Sequence, residues 1–271
     1  MSEITEVSSD LQVAAIPQGP KPAVKSRSAG LHSGGLGALQ SLAIVIVIAV
    51  FVITFVVQAF QIPSESMAKT LLIGDYLLVD KAHYGHSRFW GWLLPYHAIQ
   101  RQDVIVFRYP VNPKQHFVKR VVALPGDRLR LINKHVYVNG VRQDDDYATF
   151  NWAQSDKFRD NFPDGGFYGD KISTTWFVQA RRLLDDKELI VPEGSFFVLG
   201  DNRDDSYDSR YWGFVPADNI VGRPLLIYFS MDRSTPAISR EPVSDRLSSL
   251  AHNATSLVES LRWRRMFRTV Q

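Results

Sequence analysis

Ser66 and Lys119 are the residues of this 271-residue chain whose types and surroundings could perform nucleophilic chemistry. Ser66 lies in Phe60-Gln61-Ile62-Pro63-Ser64-Glu65-Ser66-Met67, directly after a long apolar run. A serine hydroxyl attacks poorly until a base takes its proton, so an assignment to Ser66 requires a base; without one, such a serine is a turn or cap residue. Histidine is the usual base, yet His83, His86, His97 and His116 stand in no recognised hydrolase setting. Neither a G-x-S-x-G elbow nor an H-E-x-x-H helix occurs in the chain. Lys119, in His116-Phe117-Val118-Lys119-Arg120-Val121-Val122-Ala123, is the better candidate. On a strand, alternation puts it on one face with Phe117 and Val121. A lysine so placed either snorkels to water or is held among its apolar neighbours. In the second case desolvation lowers its pKa and leaves a neutral amine able to accept a proton. The shift needed is about two units, or about 3 kcal/mol of destabilised ammonium.

A third segment, Gly200-Asp201-Asn202-Arg203-Asp204-Asp205-Ser206-Tyr207-Asp208-Ser209-Arg210, reads first as a polar turn after a strand. Its aspartates and arginines can also form an ion-pair network that fixes one loop shape and holds Ser206 in place. The absence of cysteine removes thiol catalysis, disulfides and cysteine-ligated zinc together.

The elements that must position these residues follow from patterning. Leu42 to Phe60 is uncharged throughout and apolar on all sides, which predicts a membrane-spanning helix over 42–60. Residues 1–41, rich in Ser, Gly, Ala and Pro, read as a disordered tail. Lys21, Lys25 and Arg27 on that side favour a cytoplasmic N-terminus and an exported body. Short β-branched runs then predict strands at Tyr76–Val79, Val104–Phe107, Phe117–Ala123, Leu129–Ile132, His135–Val138, Ser195–Leu199 and Leu225–Phe229. Asn139-Gly140 predicts a hairpin turn, because both residues tolerate positive φ. The fold expected is therefore mainly β: an antiparallel catalytic body over 61–142 and 191–232, interrupted by an inserted subdomain at 143–190.

Charge is unevenly spread. The chain carries 31 Lys and Arg against 28 Asp and Glu. Seven arginines after residue 232 make the tail +4 and leave the rest at −1, with no basic stripe for nucleic acid. Apolar residues from Val243 to Leu261 recur at helical spacing, so 233–271 reads as a basic amphipathic tail that lies on an anionic membrane or packs on the body or a partner. The aromatic stretch Ser87–Tyr96 suits either a core strand or a loop dipping into the membrane interface.

The segments at 63–67, 74–81, 101–110, 116–127 and 200–210, in this order and directly after a membrane helix, resemble the type I signal peptidases. These are the membrane-anchored serine proteases that remove signal peptides from exported preproteins. The resemblance implies Ser66 as nucleophile and Lys119 as general base, with Ser206 orienting the lysine. It implies an oxyanion hole from the Ser64 side chain and the Ser66 backbone N–H. Asp208 and Arg210 match the family's structural pair near the site, and Arg120 the neighbour of its base. Phe60, Ile62 and Val118 fall where the family lines its shallow substrate pockets. Also implied are cleavage after small-x-small (Ala-x-Ala-like) motifs and a single-pass location in the bacterial inner membrane, with the catalytic body outside the cytoplasm. The partners implied are signal peptides and the phospholipid membrane, with no nucleic acid, no metal and no cofactor. The chain departs from many relatives in showing one apolar segment rather than two, and in reading Ala123-Leu124-Pro125-Gly126-Asp127 where glycine commonly comes first. Two rivals remain: a soluble self-cleaving Ser-Lys protein, which the apolar segment disfavours, and a catalytically inactive scaffold of the same fold, whose work Ser66→Ala would leave unchanged.

Overall fold

The computed structural model describes residues 33–83, 97–163, 172–232 and 260–270. The apolar run does not form one uniform helix. Helix α1 spans Ser33–Phe51, a π-helical turn follows at Val52–Val56, and strand β1 occupies Val57–Gln61. The span expected at 42–60 therefore shifts toward the N-terminus: Gly37–Thr54 is the part long and apolar enough to cross a membrane. The helix also begins inside the segment read as a disordered tail, whose residues 1–32 lie outside the described ones. Uncharged small and apolar residues from Ser33 onward extend the helix at one end. At the other, β-branched Val57 opens a strand that is paired residue for residue with the next one, from Val57 opposite Asp80 to Gln61 opposite Tyr76.

The body follows the strand pattern closely. In chain order it comprises β2 (Asp75–Asp80), β3 (Val104–Arg108), β4 (His116–Ala123), β5 (Arg128–Ile132), β6 (His135–Val138) and β7 (Val141–Arg142). Then come α2 (Lys157–Asp160), α3 (Thr174–Leu183), β8 (Leu184–Asp185), β9 (Glu188–Ile190), β10 (Ser195–Leu199) and α4 (Ser209–Trp212). Strands β11 (Val215–Pro216), β12 (Ile220–Ser230) and β13 (Arg268–Thr269) complete it. Asn139 and Gly140 adopt φ of 52° and 78° in the β6–β7 hairpin, as that dipeptide predicts.

The strands form two antiparallel sheets. The larger runs β1-β2-β12-β3-β4-β10-β11, with β13 also beside β12; the smaller runs β7-β6-β5-β9-β8. Strands β8 and β9 come from the stretch read as an insertion, yet they share the smaller sheet with β5 and β6, so the expected boundary at residue 143 falls inside one sheet. Helix α3 starts where the Ser173 side chain accepts from Trp176 N, and it buries Trp176 and Ala180 against that sheet's core. A separate core of Ile62, Met67, Leu71, Leu77, Val79, Val104, Val106, Ile227 and Val270 underlies the start of the body.

Two expectations fall mostly outside the described residues: the aromatic stretch Ser87–Tyr96, and the helical pattern from Val243 up to residue 259. The chain after that pattern is described, and it lies on the body. Strand β13 pairs with β12, Arg262 pairs with Asp232, and Arg265 pairs with Asp75. Part of the tail's positive charge is thereby committed to carboxylates of the fold.

Candidate active site

Three pieces of chain converge on one groove. A short 3₁₀ turn at Glu65–Met67 follows β1 and buries Met67, which leaves Ser66 half-buried and Ser64 and Glu65 exposed. Strand β4 supplies Lys119, opposite Ile105 of β3, and Arg120, opposite both Val104 of β3 and Leu199 of β10. Because β10 ends level with Arg120, the loop that follows it begins beside Lys119. The resulting cavity, of about 390 Å³, is lined by Phe60, Ile62, Ser64, Ser66, Val118 and Lys119 among others.

Lys119 Nζ donates to Ser66 Oγ at 2.5 Å, across 53 residues of sequence. Ser64 Oγ lies 3.3 Å from Ser66 Oγ. Lys119 is 4% exposed and makes no ion pair among the described residues. Burial pushes its pKa down, and the pull of Asp208, Asp201 and Asp205 restores only part of the loss, leaving it at about 8. Protonated, this lysine donates to Ser66; deprotonated, the same contact reverses and the amine accepts the serine proton.

Arg120 points to the other face of β4. Its Nε and Nη2 each reach an Asp201 oxygen at 2.8 Å, and its Nη1 donates to Gln102 O at 2.7 Å. Asp208 and Arg210 form a second forked pair, with both contacts at 2.8 Å. Burial pushes the Asp208 carboxyl up, but Arg210 and the Gly200 N–H outweigh it and hold the group below the usual carboxylate range. Ser209 Oγ accepts from Val198 N at 3.0 Å, which ties this turn to β10.

Ser206 is buried in the same loop. Its hydroxyl helps to lower the Asp208 carboxyl as a neighbouring donor, short of full hydrogen-bond geometry, and it makes no hydrogen bond to Lys119 among the described residues. Its setting explains a glycine: a Cβ on Gly200 would stand 2.3 Å from Ser206 Oγ and 2.4 Å from the Ser66 carbonyl oxygen. The loop can pass behind the Ser66 turn only because residue 200 has no side chain.

Several residues to which the sequence reading gave no role of their own join the site. Asn202 N donates to Ser66 O at 3.1 Å, and Thr70 Oγ1 donates to Asp201 Oδ2 at 2.6 Å. Tyr147 lies against Arg120, ring centroid to guanidinium 4.1 Å. Glu65, Asp205, Tyr207 and His116 line the groove. The His116 ring sits 5.2 Å from that of Phe60, and burial together with nearby Arg108 pushes its pKa down. Apart from the Gly-Asp-Asn stretch itself, no local sequence signal marks these positions, since their partners lie tens of residues away. Among the described residues no group of three or more metal-ligating side chains is assembled.

Residues 36–229 match the family model described as signal peptidase, peptidase S26. The chain is 33% identical over 233 residues to signal peptidase I of Buchnera aphidicola subsp. Acyrthosiphon pisum, covering 70% of this chain and 74% of that protein. It is 34% identical over 223 residues to signal peptidase I of Aquifex aeolicus, covering 71% and 83%. With signal peptidase I of Pseudomonas aeruginosa it shares 36% over 199 residues, covering 65% and 66%.

Proposed function

This chain belongs to the signal peptidase family, peptidase S26, and we propose that it is a membrane-anchored serine endopeptidase that removes N-terminal signal peptides from exported preproteins. The observation that carries the mechanism is the 2.5 Å contact between a buried Lys119 and Ser66. Lys119 in its neutral form takes the Ser66 proton as Oγ attacks the scissile carbonyl. The Ser64 hydroxyl, 3.3 Å from Ser66 Oγ, and the Ser66 N–H stabilise the oxyanion; one such donor is worth about 3–4 kcal/mol in comparable sites. The lysine returns its proton to the leaving amine, and the same base then activates water against the acyl-enzyme.

Ser206, buried behind Ser66, is assigned the role of steadying Lys119 once substrate closes the groove. Phe60, Ile62 and Val118 form apolar walls that admit small side chains, which accounts for cleavage after a small-x-small motif. Arg120, Asp208 and Arg210 act through the loop and do not touch substrate. The apolar helix over Gly37–Thr54 serves as the anchor, with the body on the extracytoplasmic side of a bacterial inner membrane.

The test is cleavage of a model preprotein in detergent by the wild-type chain, Ser66→Ala and Lys119→Ala. Cleavage after a small-x-small motif by wild type alone is expected. Equal cleavage by all three would overturn the assignment of both residues. The wild-type rate should climb about tenfold per pH unit and level off near pH 8, where Lys119 is half neutral. A flat profile between about pH 6 and 9 with chemistry rate-limiting would remove the lysine as base.

A further inference from the structure

The chain between the nucleophile and β2 is irregular. Lys69 holds φ at 82°, the left-handed region that a residue with a side chain occupies only where its surroundings over-determine it. Much of that surrounding structure comes from the far end of the sequence. Arg265 Nη2 donates to Thr70 O at 3.0 Å. The same guanidinium grips the fully buried Asp75, with Nη2 to Oδ2 at 2.5 Å and Nε to Oδ1 at 3.2 Å. Arg262 Nη1 donates to Ile73 O at 2.9 Å, and Val270 is buried in one core with Met67 and Leu71.

A second support holds the same turn from the loop after β10. Thr70 Oγ1 donates to Asp201 Oδ2, and Asn202 N donates to Ser66 O. Thr70 is thus held at two points, its side chain by the loop and its carbonyl by the C-terminal segment. Ser66 rides on a turn gripped from both sides.

We propose that residues 260–270 clamp the nucleophile turn and that Arg265 is a positioning residue for the reaction, setting Ser66 Oγ against Lys119 through Thr70. This rests on the peptidase reading above. The hydrogen bonds of Arg265 go to Asp75 and Thr70 and not to the groove wall on β1 or β4, so its loss should disturb the attack and leave substrate binding alone. Arg265→Ala is expected to lower kcat roughly 10–100-fold, the scale on which a small misplacement of reacting groups costs rate. KM should stay within about twofold of wild type, since the binding walls are untouched.

The experiment uses the full chain in detergent, a short small-x-small peptide, and thermal unfolding of every variant. Arg265→Lys keeps a charge against Asp75 but loses the fork that reaches both Asp75 and Thr70 O, so it should recover part of the rate. Arg264, exposed on the same segment, provides a control: Arg264→Ala should behave as wild type. Should Arg265→Ala not fold, Arg262→Ala, which removes the grip on Ile73, should show a smaller loss confined to kcat. A folded Arg265→Ala with wild-type kcat overturns the clamp, as does a loss that disappears on cooling below the variant's unfolding transition. Cleavage absent in wild type, or indifferent to Ser66→Ala, sinks the peptidase reading and the clamp with it; with wild-type cleavage dependent on Ser66, the Arg265 result bears on the clamp alone.

Discussion

The two faces of β4 carry buried cations one residue apart, Lys119 at 4% exposure and Arg120 at 3%, and they are compensated in different ways. Arg120 meets a forked carboxylate, a carbonyl oxygen and a tyrosine ring. Lys119 meets one serine hydroxyl and apolar walls, with Asp201 and Asp208 already paired to arginines. The difference lies in which carboxylates the loop after β10 delivers and to what. Asp201 and Asp208 are both turned to guanidinium groups, so they organise the loop without neutralising the lysine. A buried charge that is paired fixes a shape, and a buried charge left unpaired is made ready to shed its proton.

Breaking the paired face should have the largest effect on stability. Asp201→Ala removes the carboxylate that faces the buried Arg120, which should cost about 3–5 kcal/mol in a denaturant titration. Asp201 also pulls the Lys119 pKa upward, so the folded fraction of that variant should reach half-maximal activity below pH 8. An unchanged denaturation midpoint would mean that the pair is not what holds the loop.

Neutralising the unpaired face should do the reverse. Lys119 has a folded pKa of about 8, below its ordinary value, so between the two values the unfolded chain holds a proton that the folded chain has lost. Stability should therefore rise with pH across that window by about 3 kcal/mol, with the full penalty present below pH 8. Lys119→Met should be the more stable protein at pH 7 and lose that advantage above about pH 10.5. Met and Lys variants of equal stability at pH 7 would show that the ammonium is not desolvated.

A smaller effect is expected between the two faces. Gly200→Ala forces a methyl against the Ser66 carbonyl, which should cost about 1–3 kcal/mol and reduce kcat, because the displaced backbone carries the proposed nucleophile. The smallest is Ser206→Ala. Removing a buried hydroxyl that stands outside full hydrogen-bond geometry with Asp208 should change stability by less than about 1 kcal/mol, so that a fall in kcat would belong to the chemistry alone.

Much of this was legible in the chain. Strands β2 to β6 and β10 announce themselves by short β-branched runs, the hairpin by Asn139-Gly140, and the groove by segments whose order matches the family. Strand β1 was hidden because Val56-Val57 continues an apolar run that reads equally as helix until a partner strand is known. Strands β8 and β9 are two and three residues long, too short to show a period. The role of Arg265 was invisible for another reason: its carboxylate partner lies 190 positions earlier, and nothing local separates an arginine bound for a buried aspartate from one bound for a lipid headgroup.

The passage from helix to strand also sets a reach. Only six residue steps separate Thr54, at the end of the apolar span, from Phe60 in the groove wall. Fully extended, they cover at most about 20 Å. Under the anchoring proposed above, the tether is a ruler as well as an anchor. On that proposal, a small-x-small sequence within that distance of the bilayer, as in a preprotein still threaded through it, would come under the groove. The same sequence deeper in a folded exported protein would stay out of range, so that the choice of cleavage site would depend on where a motif is held as well as on what it spells.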